Sequence, residues 1–173
     1  HVERFAALGT LQGLGDIRSI AVANYNGDQL RDVQEKTGIV PTINQVELHP
    51  GFSQAELRET HAQLGVLTEA WSPLAQGDVT HTSLLADIAD KYGVTPAQVA
   101  LRWIYQLGVS SVPKSATATR QAENLAIFNF ELSESEMSRI LQLDNEPGSG
   151  RRYADPDVFP GDDVGGISTP QTH

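Results

Sequence analysis

The sequence contains no cysteine and few basic residues, and each shortage excludes a class of function. Without cysteine there can be no disulfide, no thiolate zinc site and no catalytic thiol. Only 12 lysine and arginine residues stand against 22 acidic residues, which gives a net charge of −10 at pH 7. Because this charge repels phosphate backbones and no concentrated basic patch is evident, we expect no nucleic-acid partner.

Long apolar runs are also absent, so we expect no membrane span and no membrane partner. The first residues, from His1 to Arg4, do not resemble a signal peptide, and a cytoplasmic location is therefore expected. Four of the five histidines, at positions 1, 61, 81 and 173, show no metal-ligand spacing, and His49 is interpreted as structural, so we expect no metal site. The 173 residues are enough for one domain with a real core.

The sequence does contain a repeated alternation of short strand-like runs and longer helix-like runs, which is typical of βα units and a parallel sheet. Strands are predicted at residues 19–22, 42–48, 66–71 and 109–113. Four consecutive units without a GxGxxG turn after a strand favour half of a (β/α)8 barrel over a doubly wound nucleotide fold. We therefore predict an α/β fold with four parallel strands over residues 1–144 and an irregular C-terminal tail or covering loop over 145–173.

Several helix starts are marked by capping residues. Asn26 with Gln29 predicts a helix over 26–37, and Thr95 before Pro96 predicts one over 95–107. Capping boxes are predicted at residues 53–56 and 133–136, where a serine is followed three residues later by a glutamate. Further helices are predicted over 82–92 and 117–125.

Polar segments follow the predicted strands at the points where the strands end. In a (β/α)8 barrel this face holds the active site, and the loops after the last two strands commonly bind phosphate. The pattern therefore predicts a ligand site at the carboxyl ends of the strands. The segments are residues 23–25, 44–50, 71–74 and 112–115.

These segments, together with the stretch from 112 to 125, closely resemble the aldo-keto reductases in order and spacing. The resemblance covers about residues 1–160, and residues 152–160 resemble the C-terminal segment of bacterial diketogluconate-reductase-like members. It implies the C-terminal half of the barrel. It also implies an NADPH-dependent reductase of aldehydes or ketones, possibly keto-sugars, with a small-molecule carbonyl substrate.

The resemblance also implies which residues hold the cofactor. Asn24 and Gln45 would bind the nicotinamide carboxamide, and Trp71 would stack on the nicotinamide ring. The alternative for Trp71 is a core aromatic residue at a strand end. Three further positions resemble the family's pyrophosphate contacts, although a plain turn would use the same residue types. They are Ser72, Leu74 and Gln76.

The segment after the last strand resembles the family's adenosine 2′-phosphate site, formed by Lys114, Ser115 and Arg120. Glu123 and Asn124 match family positions near the adenine. NADPH is thus expected rather than NADH. The alternative is that the two cations only form part of a solvated surface.

Two departures from the family pattern affect the expected activity. Ala23 stands where the family usually has serine, so one contact to the carboxamide is lost. The family's catalytic Asp, Tyr, Lys and His lie on the first four βα units, upstream of residue 1. We therefore expect no catalytic residue in this chain and no activity from it alone. A different class of function, a non-catalytic NADP(H)-binding or structural half-barrel that self-associates, remains open, and the expected partner is either the N-terminal half-barrel or a second copy.

Overall fold

The computed structural model describes residues 1–158, and within them four parallel strands form one sheet in the order β1-β2-β3-β4. This arrangement confirms the predicted α/β fold. The expected tail over 145–173 is described as far as residue 158, and residues 159–173 lie outside the described part. The strands are β1 (Ala21–Ala23), β2 (Ile43–Glu47), β3 (Leu67–Trp71) and β4 (Ser110–Ser111).

Seven α-helices and three short 3₁₀ segments accompany these strands in residues 1–158. None of the described helices is both long enough and apolar enough to cross a membrane. The 3₁₀ segments are Ala75–His81, Ala126–Phe128 and Gln142–Asn145. The helices are α1 (Val2–Leu14), α2 (Gly27–Thr37), α3 (Ala55–Leu64), α4 (Ser83–Tyr92), α5 (Pro96–Gln106), α6 (Ala118–Leu125) and α7 (Glu134–Leu141).

The last strand is shorter than predicted. We expected pairing over 109–113, whereas β4 is the strand Ser110–Ser111. The N–H of Val112 still donates to the carbonyl of Ala70 at 3.0 Å, but Pro113 has no N–H with which to continue the ladder. The first strand is also displaced, because it begins at Ala21 rather than at residue 19.

Three predicted caps are confirmed. Asn26 and Gln29 form a reciprocal capping box at α2, and Ser133 and Glu136 form another at α7. Thr95 caps α5 in the same reciprocal way, with Pro96 as the first helical residue. Each cap uses residues close together in the sequence, which is why the local pattern predicts them.

The capping box predicted at residues 53–56 is wrong. Gln54, in the left-handed region with φ 54°, occupies the cap position of α3, and no side chain caps the helix there. Ser53 instead donates its hydroxyl and its backbone N–H to the carboxylate of Asp144, the latter at 3.1 Å. The helix start is therefore fixed by a residue distant in sequence rather than by its own serine.

The core lies on one side of the sheet. Val46 and Ala70 point from the strands into the helix layer, where Trp103 and Leu85 are fully buried. Alternate strand residues point to the opposite face, which is open among the described residues. Leu67 is 60% exposed on that face.

The chain after Gln142–Asn145 folds back across the carboxyl ends of the strands. We call residues 150–158 the strap. Its first residue, Gly150, donates its N–H to the carbonyl of Gly51 at 2.7 Å. Near its end, Asp157 accepts a hydrogen bond from the side chain of Asn26 at 2.9 Å. The strap therefore lies over the face on which the ligand site was predicted.

Candidate functional site

The carboxyl ends of β1, β2 and β3 bring together three of the predicted site residues. The indole Nε1 of Trp71 donates to Oδ1 of Asn24 at 2.9 Å. The backbone N–H of Asn24 donates to the carbonyl of Gln45 at 2.9 Å. Asn24 has φ 59°, a left-handed conformation that asparagine tolerates better than most residues. These contacts place Asn24, Gln45 and Trp71 at one edge of the sheet.

A buried asparagine fixes the turn that carries Asn24. The side-chain amide of Asn44 donates to the carbonyl of Tyr25 at 2.8 Å, and the N–H of Tyr25 donates to Oδ1 of Asn44 at 3.3 Å. Asn44 also donates to Nε2 of His61 at 3.0 Å. Nδ1 of His61 therefore carries the proton and donates to Oγ1 of Thr68 at 2.8 Å.

His61 is neutral in this network. Burial, with a further contribution from the nearby Arg58, lowers the pKa of His61 to about 4. Neither Asn44 nor His61 was among the predicted site residues. Only the contact between α3 and the sheet reveals their role, and no local sequence pattern marks it.

A row of paired residues crosses the open face of the sheet just below the strand ends. Ala23, Gln45, Glu69 and Ser110 are successive partners in the parallel register. The side-chain amide of Gln45 donates to Oε1 of Glu69 at 2.6 Å. The hydroxyl of Ser110 donates to Oε2 of Glu69 at 3.3 Å. Glu69 was not predicted as a site residue.

The ring of Trp71 is partly exposed, whereas Trp103 is fully buried in the core. Tyr153 of the strap contacts this ring edge-on, with centroids 4.9 Å apart and an interplanar angle of 69°. Trp71 is therefore an aromatic surface at the edge of the sheet and not a core residue.

The loop after Trp71 has an unusual backbone. Ser72 has φ 51°, Gln76 has φ 58° and Gly77 has φ 103°. Turn hydrogen bonds run from the N–H of Ala75 to Ser72 and from the N–H of Gly77 to Leu74, at 2.9 and 2.7 Å. The side chain of Leu74 packs against the main core, so Leu74 can meet a ligand only through its backbone. Ser72 is half-buried and Gln76 is exposed.

The predicted phosphate residues gather around the start of α6. Lys114 and Arg120 are exposed, and neither forms an ion pair with any residue between 1 and 158. Ser115 accepts a hydrogen bond from the N–H of Thr117 at 3.3 Å, which shapes the turn into the helix. The N-terminus of a helix attracts anions through its free N–H groups and its dipole. Glu123 and Asn124 lie half-buried further along α6.

Two fully buried ionisable residues, Glu47 and His49, lie beneath the strap. Nε2 of His49 is 3.3 Å from Oε1 of Glu47, and Nδ1 is 3.0 Å from the carbonyl of Pro50. The N–H of Arg152 donates to the same Glu47 oxygen at 2.6 Å. His49 is thus held by protein groups, and residues 1–158 contain no cluster of three or more side chains suited to a metal ion.

Comparison with known proteins gives the family. The profile of the aldo/keto reductase family matches residues 2–145. An aldo-keto reductase of Mycolicibacterium smegmatis is 45% identical over 159 residues, which are 91% of this chain and 56% of that protein. Methylglyoxal reductase DkgA of Escherichia coli K12 is 42% identical over 164 residues, 93% of this chain and 58% of the relative. The chain spans about half the length of the curated relatives it matches.

A third relative and a solved structure agree. The 2,5-diketo-D-gluconic acid reductase B of a Corynebacterium species is 45% identical over 146 residues, 83% of this chain and 51% of the relative. A mutant form of Gox0644 in complex with NADPH has a TM-score of 0.87 and 42% identity, over 92% of this chain and 58% of that one. Coverage of about half of the neighbour confirms the prediction of half a (β/α)8 barrel. The profile match and the relatives together show that this chain belongs to the aldo/keto reductase family.

Proposed function

We propose that this chain forms the cofactor-binding side of an NADPH-dependent reductase of aldehydes and ketones. The observation that carries the proposal is the grouping of Asn24, Gln45 and Trp71 at one edge of the sheet. A partly exposed indole beside two side-chain amides suits a flat ring that bears a carboxamide. The NADPH bound to the mutant Gox0644 supports the same assignment.

The phosphate side of the cofactor would lie along the loop after β3 and at the start of α6. Ser72, the backbone of Leu74, and Gln76 would face the pyrophosphate. Lys114, Ser115 and Arg120 would hold the 2′-phosphate, because two cations without ion-pair partners among residues 1–158 stand beside the N-terminus of α6. Glu123 and Asn124 would contact the adenine.

The bound nicotinamide would supply a hydride to the substrate carbonyl. This chain's residues would orient the ring through Trp71 and the carboxamide through Asn24 and Gln45, and none of them is proposed to donate the proton. We propose that the acid comes from an N-terminal half-barrel that completes the sheet. Without it, carbonyl reduction would lose at least the ~10²–10⁴-fold that general acid catalysis provides.

The names of the relatives suggest the substrate class. DkgA is a methylglyoxal reductase, and the Corynebacterium relative is a 2,5-diketo-D-gluconic acid reductase. Both names describe compounds with neighbouring or multiple carbonyl groups. We propose small dicarbonyls and keto-sugars as substrates of the completed enzyme.

The second candidate function is a non-catalytic half-barrel that binds NADP(H) or associates with itself. The open sheet face favours it, because Leu67 of β3 and Val112, which directly follows β4, are 60% and 46% exposed. Such a surface is covered by other apolar groups in a stable assembly.

A chimera tests the main proposal. This chain would replace the matching 164-residue region of the E. coli DkgA, and NADPH oxidation with methylglyoxal would be followed. We expect substrate-dependent turnover by the chimera and none above background by the chain alone. Trp71→Ala in the chimera should abolish most of it, while Trp71→Tyr should retain it. A folded chimera that binds no NADPH would contradict the proposal.

A further inference from the structure

The two amides proposed to hold the carboxamide each have a neighbour with only one hydrogen-bonding role. The indole N–H of Trp71 can only donate, so the group that Asn24 turns toward it at 2.9 Å must be its oxygen. An ionised carboxylate can only accept, so the group that Gln45 turns toward Glu69 at 2.6 Å must be its NH₂. Both amide orientations are therefore fixed by chemistry.

The groups that remain are complementary. Within residues 1–158, the NH₂ of Asn24 remains available as a donor and the carbonyl oxygen of Gln45 as an acceptor. A primary carboxamide offers one acceptor oxygen and one donor NH₂, and it matches this pair in a single orientation. A ketone offers the oxygen alone and would leave Gln45 unmatched.

Glu69 is itself held on both sides. Its Oε1 accepts from Gln45 and its Oε2 accepts from Ser110 at 3.3 Å, and all three residues are register partners on neighbouring strands. The row lies on the open face of the sheet, where a ligand ring resting on Trp71 would be within reach. Nothing in the chemistry assigned so far uses Glu69.

We propose that Glu69 is a positioning residue that locks the amide of Gln45 with its oxygen toward the ligand, and so selects a carboxamide over a ketone at the reactive ring. The choice of a carboxamide as the ligand rests on the proposed function. The fixed orientation of the Gln45 amide does not depend on it.

The test compares two dinucleotides on the 173-residue chain by calorimetric titration. One is NADP⁺, and the other is its 3-acetylpyridine analogue, in which a methyl group replaces the carboxamide NH₂. We expect Glu69→Ala to lower the affinity for NADP⁺ about fivefold and the affinity for the analogue by less than about twofold. The reason is that only NADP⁺ has the NH₂ that donates to the oxygen of Gln45. Glu69→Gln should restore NADP⁺ binding, since its carbonyl can still accept from Gln45.

Glu131→Ala is the matched control, because it removes an exposed carboxylate far from the site and should change neither affinity. Equal weakening of both dinucleotides by Glu69→Ala, or no weakening of either, would overturn the proposal. Failure of the unchanged chain to bind either dinucleotide would count against the proposed function and not against the lock.

A second measurement tests the fixed orientation of the Gln45 amide without any cofactor. In ¹⁵N-labelled chain, the side-chain amide of Gln45 should give a resonance displaced from those of exposed glutamines, because of its short bond to a carboxylate. Glu69→Ala should return it to the ordinary position, and Glu131→Ala should not. An undisplaced Gln45 resonance that ignores Glu69→Ala would refute the positioning role.

Discussion

His61 shows how one buried side chain can support a site from behind. Its two ring nitrogens are used in opposite senses, Nε2 as an acceptor from Asn44 and Nδ1 as a donor to Thr68. Protonation of Nε2 would set an N–H against the NH₂ of Asn44. The hydrogen bonds from Asn44 to the backbone of Tyr25, and with them the turn at Asn24, therefore depend on a neutral imidazole.

This arrangement predicts a pH-dependent stability. The pKa of His61 is about 4 in the folded chain and about 6.5 when unfolded, so the unfolded chain binds the additional proton between these values. We expect the free energy of unfolding to fall by about 2.5 kcal/mol as the pH drops from 6.5 to 4, and this contribution to level off below 4. Urea unfolding across this range measures it.

The comparison variant is His61→Gln, which should flatten this part of the profile even if it lowers stability at neutral pH. His81→Gln removes an exposed histidine and should leave the slope as it is. Parallel profiles for the unchanged chain and His61→Gln would show that His61 does not cause the pH dependence.

Lys114 and Arg120 are the residues with which the cofactor preference can be tested. If they hold a 2′-phosphate, changing both to alanine in the chimera should lower the affinity for NADPH about a hundredfold. The affinity for NADH should fall by less than about threefold, because NADH lacks that phosphate. Binding titrations with both cofactors measure this. Arg18 and Lys36, changed together, remove the same charge from exposed positions away from the strand ends and should affect the binding of neither cofactor. Equal losses of NADPH and NADH from the Lys114 and Arg120 pair would assign these cations another role.

The placement of residues at strand ends could be predicted from the sequence, whereas contacts between side chains on neighbouring strands could not. Asn24, Gln45 and Trp71 lie together because parallel strands end at one edge, which is a property of each segment alone. Glu69 meets Gln45 and Ser110 only once the register is set. Nothing within residues 67–71 indicates that register.

At the scale of elements, the same distinction separates the correct caps from the wrong one. The boxes at α2, α5 and α7 join residues three positions apart, and the sequence pattern is sufficient to find them. Ser53 carries the same pattern at α3, but a carboxylate from Gln142–Asn145 offers it a stronger, charged acceptor. A local pattern cannot include that competitor.

The strap is held to the sheet chiefly by Glu47. The buried carboxylate accepts the N–H of Arg152, and its other oxygen lies 3.8 Å from the guanidinium of Arg151. Arg152 also reaches Asp78 with its side chain, at 3.0 Å. The strap thereby joins the end of β2 to the 3₁₀ segment after β3, and its Tyr153 contacts Trp71.

We predict that loss of this anchor exposes Trp71. Glu47→Ala should increase quenching of tryptophan fluorescence by acrylamide, because Trp103 is 0% exposed and contributes little to quenching. It should also cost about 3 kcal/mol of stability, since the partners of a buried charge are left unpaired. Arg152→Pro removes the N–H donor of the strap together with the side chain that pairs with Asp78, but it leaves Glu47 in place, and it should increase quenching without that loss of core stability. Glu146→Ala, an exposed change just before the strap, should do neither. Unchanged quenching in both anchor variants would contradict the prediction.

At the scale of the whole molecule, the open face and the two edge strands dominate. β1 and β4 each have a single strand partner in residues 1–158, and unpaired strand edges beside apolar side chains invite pairing with another chain. The barrel that the family uses closes both edges at once. Among residues 1–158, this chain's sheet thus has two unpaired strand edges beside an open face.

We expect the isolated chain to self-associate at micromolar concentration, as measured by sedimentation velocity. Changing Leu67 and Val112 to lysine should shift the chain toward monomer, because both substitutions replace exposed apolar side chains in or beside the edge of the sheet. Val158→Lys alters a residue that is 76% exposed in the strap and should not. A compact, cooperatively melting monomer would mean that other residues of the chain, including the tail over 145–173, cover these edges.

The bond between Ser53 and Asp144 also affects the order in which the chain can fold during its synthesis. The two residues are 91 positions apart, so the ribosome has released β2 and the start of α3 long before Asp144 appears. Until then the hydroxyl and backbone N–H of Ser53, just before α3, have only water as a partner, and the segment that leads into the helix is not held in place. β2 and α3 can therefore form early, but they lack the contact that stabilises the start of α3. The segment Gln142–Asn145 then fixes the residue before α3. The strap follows it, because Ser149 donates to the carbonyl of Asp144 and Gly150 donates to the carbonyl of Gly51.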